Sequence, residues 1–283
     1  MAQQHVARRM WALYEPVHAV TYFAPEARAA YEEAGLRGFW RGYFAGRAAP
    51  LGPVGPGPVY ALFYGFARHM VDRALPAVWE LADPQRTLEA RRRGARASLE
   101  RLAPAVPPEE LKEAAVLART AAEGADLPGR ALGAANADLP WPDEPIDILW
   151  HATTILREHR GDGHVAALLA AGVDGCEALV LRGALDLRRD FLQPARGWTD
   201  EEWQEAADRL AGRGWLDAEG RTTDAGRAVL DEAERITDAL AAGPWRVLGE
   251  VGTERLAALL APLTRAVFTE VPYPNPIGVP APV

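Results

Sequence analysis

The sequence predicts a mainly α-helical protein of two lobes. Apolar residues recur at helical spacing through most of the chain, and alternating strand-like runs are few. The length of 283 residues, with 49% apolar and 25% charged side chains, suffices for two ordinary domains, each with its own core. Clusters of proline and glycine punctuate the helical text, so the elements can be read off in order.

Residues 6 to 24 read as a first helix despite Pro16, and 25 to 35 as a second, with Pro25 in its first turn and Gly35 at its C-terminus. An aromatic stretch from Gly38 then passes into a Pro/Gly loop. Helices are expected at about 59–81, 84–102 and 109–123. The stretch 125–145 reads as a loop or short helix, and a helix at about 144–159 leads into the charged run REHRGDGH, 157 to 164. There, Gly161 and Gly163 predict a turn, with Asp162 capping a new helix that begins near His164. Beyond it lie HVAALLAAG, CEALVLRGAL and TDEEWQEAADRLAG, three helices. DAEGRTTDAGRAVL adds a short hairpin turning at Glu219-Gly220 and a helix capped at Thr223.

Three helices and a small β-wing are the order of a winged helix-turn-helix. The expected domains are a helical N-terminal domain at 1–125, a connecting segment at 126–148, a winged helix-turn-helix at 149–242, and a C-terminal helix with a proline-rich tail at 243–283. Three motifs, EPVHAVTYFAPEAR, GFWRGYFAGRAAPLGPV and LREHRGDGHVAAL, carry a resemblance over most of the chain to an actinobacterial helix-turn-helix, winged-helix family. The resemblance implies a fold and no particular activity.

Composition removes several classes of function. No run of about 18 apolar residues is present, so no membrane span is expected. The N-terminus lacks the apolar run of a signal peptide. The single cysteine, Cys176, excludes an internal disulfide or a thiolate zinc cluster and suits a reducing cytoplasm. The net charge is −8, and the third helix of the expected DNA-binding module carries Asp200, Glu201, Glu202, Glu205 and Asp208 against Arg209 alone. Phosphate neutralisation needs the opposite sign, which disfavours DNA as a partner. No phosphate-binding loop, serine elbow or dinucleotide fingerprint is present.

Two constellations carry candidate chemistry. Trp11, Glu15, His18 and Tyr22 share one helix face, and apolar Met10, Leu13, Val17 and Val20 lie toward another. Two readings fit: a buried hydrogen-bond network, or a general acid/base pair in which Glu15 tunes His18. The second constellation is His151, Arg157, Glu158, His159, Arg160, Asp162 and His164. It fits a ligand-anchoring cluster or a structural network; its spacing suits a metal poorly, and no metal or cofactor is expected. Arg41, Tyr43, Arg47 and Tyr64 add polar anchors along an aromatic wall suited to a small-molecule pocket, although aromatics at this spacing also build cores. The sequence thus predicts a small-molecule-binding protein on a winged-helix scaffold that has lost DNA binding. As an enzyme of specialised metabolism it would use His18, Glu15, His159 and His164 for acid/base catalysis on a small organic substrate. The alternative is a ligand-responsive winged-helix regulator. The N-terminal lobe is expected to pack on the winged helix around a shared pocket, and a homodimer is the default assembly.

Overall fold

The computed structural model describes residues 5–104 and 106–279. Helices α1 (Val6–Phe23), α2 (Pro25–Glu33) and α3 (Phe39–Ala48) follow one another, with α2 opened by Pro25, whose missing N–H costs nothing in a first turn. Next come α4 (Pro56–Phe63), α5 (Arg68–Asp72), α6 (Val78–Leu81), α7 (Pro84–Leu102) and α8 (Pro108–Glu123). Asp83 caps α7 by accepting the Arg86 N–H at 2.8 Å. The remainder is α9 (Ala131–Ala137), α10 (Pro145–Ala170), α11 (Gly175–Leu185), α12 (Arg189–Arg196), α13 (Asp200–Gly212), α14 (Asp224–Leu240) and α15 (Gly243–Val267), the last kinked at Gly249.

Three expectations need correcting. The single helix expected over 59–81 is three short ones, because the backbone leaves the helix at Tyr64, whose φ is 48°, and Pro76 cannot join a helix begun before it. The turn expected at 161–163 does not exist: α10 runs unbroken through Gly161, Asp162 and Gly163. Asp162 therefore caps no helix at His164. The β-wing shrinks to one isolated antiparallel bridge, Leu216 to Thr222, and no sheet forms among the described residues. The Asp217 side chain holds this turn by accepting the N–H groups of Glu219 and Arg221.

The chain divides into two compact units that are each discontinuous in sequence. Unit 1 takes 1–54, 74–162 and 238–283. Its core joins Met10, Tyr14, Val17 and Val20 of α1 to Leu99 of α7, Leu149 and Ile155 of α10, and Leu256, Leu260 and Leu263 of α15. Gly94 of α7 meets α2 so closely that a Cβ there would lie 2.6 Å from Ala27 Cα. Unit 2 takes 55–73 and 163–237. Its core is Leu168, Val173, Cys176, Leu181, Trp203, Leu210, Leu216 and Leu230. Here α11 and α13 are both opened by capping boxes, Asp174 with Glu177 and Thr199 with Glu202. Gly175 is required because a Cβ would strike the Tyr64 carbonyl oxygen at 2.0 Å. No single helix among the described residues is long and apolar enough to cross a membrane.

Candidate functional site

The first constellation assembles on α1 and α10 of unit 1. Trp11 Nε1 donates to Glu15 Oε2 at 3.2 Å, and Arg157 Nε donates to Glu15 Oε1 at 3.2 Å. Glu158 is the hub. Arg47 grips it with both arms, Nε to Oε1 and Nη2 to Oε2 at 3.0 Å each, while Arg157 Nη1 lies 2.8 Å from Oε1. That last contact is an ion pair without hydrogen-bond geometry, since Nη1 makes no hydrogen bond. Two carboxylates and two guanidiniums thus alternate in a neutral, buried chain. Burial would raise the Glu158 pKa, but the adjacent Arg157 and Arg47 hold the carboxyl well below the usual range. For Glu15, burial outweighs Arg157 and the pKa is raised.

His18 sits beside this chain with both ring nitrogens engaged. Thr154 Oγ1 donates its one proton to the Trp150 carbonyl at 3.0 Å, so at 2.9 Å it accepts from His18 Nδ1–H. His18 Nε2 then accepts from the Tyr22 hydroxyl at 3.0 Å. Burial, followed by the positive field of Arg157, pushes the imidazole pKa well below its ordinary value, which keeps this neutral tautomer. A void of about 20 Å³ beside Tyr22 and Tyr43 has room for about one water, not a substrate. As arranged, His18 orients partners and has no lone pair left for a substrate proton.

The rest of the charged run on α10 is used for joining elements. Asp162 Oδ2 accepts the Gly133 N–H at 2.9 Å and so caps α9. Burial raises this carboxyl to about 6. Arg130 donates to the His159 carbonyl at 2.5 Å and to the Leu240 carbonyl at 2.8 Å. The His159 imidazole is driven down to about 4 by burial and by Arg130, and its Nε2 is buried without a partner. Arg160 and Arg8 share Asp238 at 2.8 and 2.9 Å, with the Arg160 guanidinium over the Trp11 ring.

His151 lies elsewhere, on the wall of a cavity of about 220 Å³. Leu88, Leu139, Pro140, Pro142 and Trp150 supply its apolar lining, and Arg91, Arg92, Gln85, Glu89 and Asp147 its polar groups. Arg91 is 5% exposed and His151 6%. Arg91 donates to the Gly46 carbonyl and to Asn136 Oδ1, both at 3.0 Å, and lies over the Trp150 ring. Its Nε and the Nε2 of His151 are buried with no hydrogen-bond partner. Burial, with Arg91 and Arg119 nearby, lowers the His151 pKa to about 4, so the ring is neutral at pH 7.

The candidate residues therefore fall into separate places. Glu15, His18, Tyr22, Tyr43, Arg47 and Arg157 belong to one buried network, while His159, Arg160 and Asp162 pin neighbouring elements. Arg41 is exposed and donates to the Arg37 carbonyl at 3.2 Å. Tyr64 and His164 belong to unit 2. There the Tyr64 hydroxyl donates to the Val173 carbonyl at 2.5 Å and His164 Nδ1 bonds to Thr237 Oγ1 at 3.0 Å. Sequence reasoning named Glu158 in the second constellation without giving it a role, and left Arg91 out altogether. The signal for Arg91 was the run Arg91-Arg92-Arg93, in which helical geometry must turn one arginine inward. Among the described residues no group of three His, Cys, Asp or Glu side chains is placed to hold a metal.

Fold and site together define a two-unit, α-helical protein carrying a helix-turn-helix. The chain belongs to the helix-turn-helix family, whose model matches residues 7–274. No curated protein and no solved structure matches it.

Proposed function

We propose that this helix-turn-helix protein binds a small molecule in the unit 1 cavity lined by Arg91, Trp150 and His151. One observation carries the reading: a space of about 220 Å³ joins an apolar wall of Leu88, Leu139, Pro142 and Trp150 to a few polar side chains, among them Arg91, Arg92 and His151, the usual make-up of a small-molecule site. Binding is favoured over acid/base catalysis because both nitrogens of His18 are already committed. Native and denatured mass spectra of the purified protein, repeated on a Leu88→Trp variant that fills the cavity, test this. A bound organic mass in the first protein only supports the reading; a mass retained in the filled variant overturns the assignment to this cavity.

A ligand-responsive winged-helix regulator is the second reading, and the course of α10 favours it. This one helix carries Trp150 and His151 in unit 1 and continues as residues 163–170 of unit 2. Against DNA as the target stands α13, whose exposed side chains include Asp200, Glu201, Glu205 and Asp208. Its one cation, Arg209, pairs with Asp174 and Glu177, and Arg213, just beyond its end, pairs with Glu177. A mobility-shift titration against genomic fragments at two salt concentrations is expected to show no salt-dependent complex; a specific, salt-sensitive shift would restore DNA recognition.

A further inference from the structure

We infer that the ligand of the unit 1 cavity is a free amino acid with an apolar side chain about the size of phenylalanine's; this rests on the reading of that cavity as a ligand site. The inference starts from one stripe of α7. Gln85, Leu88, Glu89 and Arg92 fall at spacings of three, one and three residues, so they share a helix face, and all four line the cavity. Leu88 is half-buried, whereas Gln85, Glu89 and Arg92 are exposed. An apolar wall is thus edged by polar groups that a ligand can reach.

The charges on this edge are left open by the protein. A glutamate and an arginine three residues apart on a helix ordinarily pair. Glu89 instead accepts the neutral Gln85 amide at 3.1 Å, and among the described residues no carboxylate lies within ion-pair distance of Arg92. The other charges of the wall are engaged within the protein. Asp147 is neutralised by Arg96 at 2.8 Å, and Arg91 is buried on the Gly46 carbonyl and Asn136 Oδ1.

One open anion and one open cation, with Cβ atoms about 5–6 Å apart by helix geometry, fit a ligand that carries both signs close together. An α-amino acid does so. Its ammonium group needs acceptors, which the Glu89 carboxylate and the Gln85 carbonyl oxygen supply; its carboxylate needs a donor fork, which Arg92 supplies. A ligand of a single sign would strip water from one of these charges without pairing it. The substituent on the α-carbon then enters between Leu88, Leu139, Pro142 and Trp150. These offer no further hydrogen bond, because the Trp150 indole N–H already donates to the His18 carbonyl at 3.3 Å. A dry cavity of about 150 Å³ holds benzene, so about 220 Å³ admits a phenyl ring with the charged head at the exposed edge.

Calorimetric titration of the full chain with L-phenylalanine, 3-phenylpropionate and 2-phenylethylamine tests the class, since each comparison compound lacks one of the two charges. L-Phenylalanine is expected to bind at least fivefold more tightly than either, and Leu88→Trp to abolish its binding. Arg92→Gln is expected to remove its advantage over 2-phenylethylamine, and Glu89→Gln its advantage over 3-phenylpropionate. Both side chains are exposed, so circular dichroism and melting temperature should stay near those of the parent. Either comparison compound binding as well as L-phenylalanine, and blocked by Leu88→Trp, would overturn the amino acid while leaving the ligand site intact. Undiminished L-phenylalanine binding in both charge variants would overturn it too. Heat from none of the three would also overturn this ligand class, and the mass spectra would then decide the ligand site separately.

Discussion

Replacing Glu158 with Gln is the sharpest perturbation of the buried network, because the side chain keeps its shape and loses its charge. Glu158 accepts two hydrogen bonds from Arg47 and sits against Arg157, and it is 1% exposed. Without the charge, Arg47 loses its carboxylate while Arg157 keeps only Glu15, and the new amide turns N–H donors toward other donors. Removing one partner of a buried ion pair costs roughly 3–5 kcal/mol. At about 2–4 °C per kcal/mol, the thermal midpoint should fall by roughly 6–20 °C in circular dichroism at 222 nm. The double variant Arg47→Met, Glu158→Leu removes both charges and leaves Arg157 with Glu15. It should therefore be more stable than E158Q alone, since a buried pair replaced by apolar groups is often near neutral. A shift under about 2 °C for E158Q, or a double variant less stable than the single, would refute the structural role assigned here.

Further outcomes follow from the same geometry. Asp162→Ala removes the cap of α9 and should cost about 0.5–2 kcal/mol, read as faster hydrogen exchange at Leu132 and Gly133; unchanged exchange at both amides would contradict it. Gly94→Ala should destabilise unit 1 by about 1–3 kcal/mol, because its Cβ meets backbone of α2 at 2.6 Å, and a melting temperature within error of the parent would count against that contact. The pH dependence has a definite sign. His151 and His159 have folded values near 4, below the unfolded value near 6.5, so the unfolded chain binds more protons and stability falls as pH drops from about 6.5 toward 4. Asp162, raised to about 6, opposes this in part, because the folded chain holds its proton between its unfolded value and 6. Urea midpoints between pH 4.5 and 7 should rise with pH, and His159→Gln should flatten the slope; a flat parent profile would refute the burial of both rings as neutral groups.

Much of the fold was legible because its signals are local. Pro25, Asp83-Pro84 and Pro107-Pro108 open helices where sequence alone puts them, and Thr199 and Asp174 cap theirs with side chains three residues from their partners. The charged run at 157–164 misled for the opposite reason. Two glycines and an aspartate in a row suggest a turn, each glycine costing a helix about 1 kcal/mol relative to alanine. Residues flanking them in α10 are held in cores, Ile155 and Leu156 in unit 1 and Ala167 and Leu168 in unit 2, and the Asp162 carboxylate is drawn to an N–H 29 residues away. The site was legible only as residue types. Glu15, His18 and Tyr22 share a face as helical spacing requires, but their partners Arg157 and Thr154 come from more than 130 residues along the chain. Nothing local says which of three consecutive arginines turns inward. Arg91 and the cavity it lines arise from the meeting of α7 with α10 and the 139–142 segment, and a single sequence does not encode that meeting in any short window.

The most direct test of the central claim is a native mass spectrum of the purified parent set beside that of the Leu88→Trp variant, each compared with its denatured spectrum. The account predicts a bound organic mass in the parent that is missing from the variant. The same mass retained by the variant would contradict it.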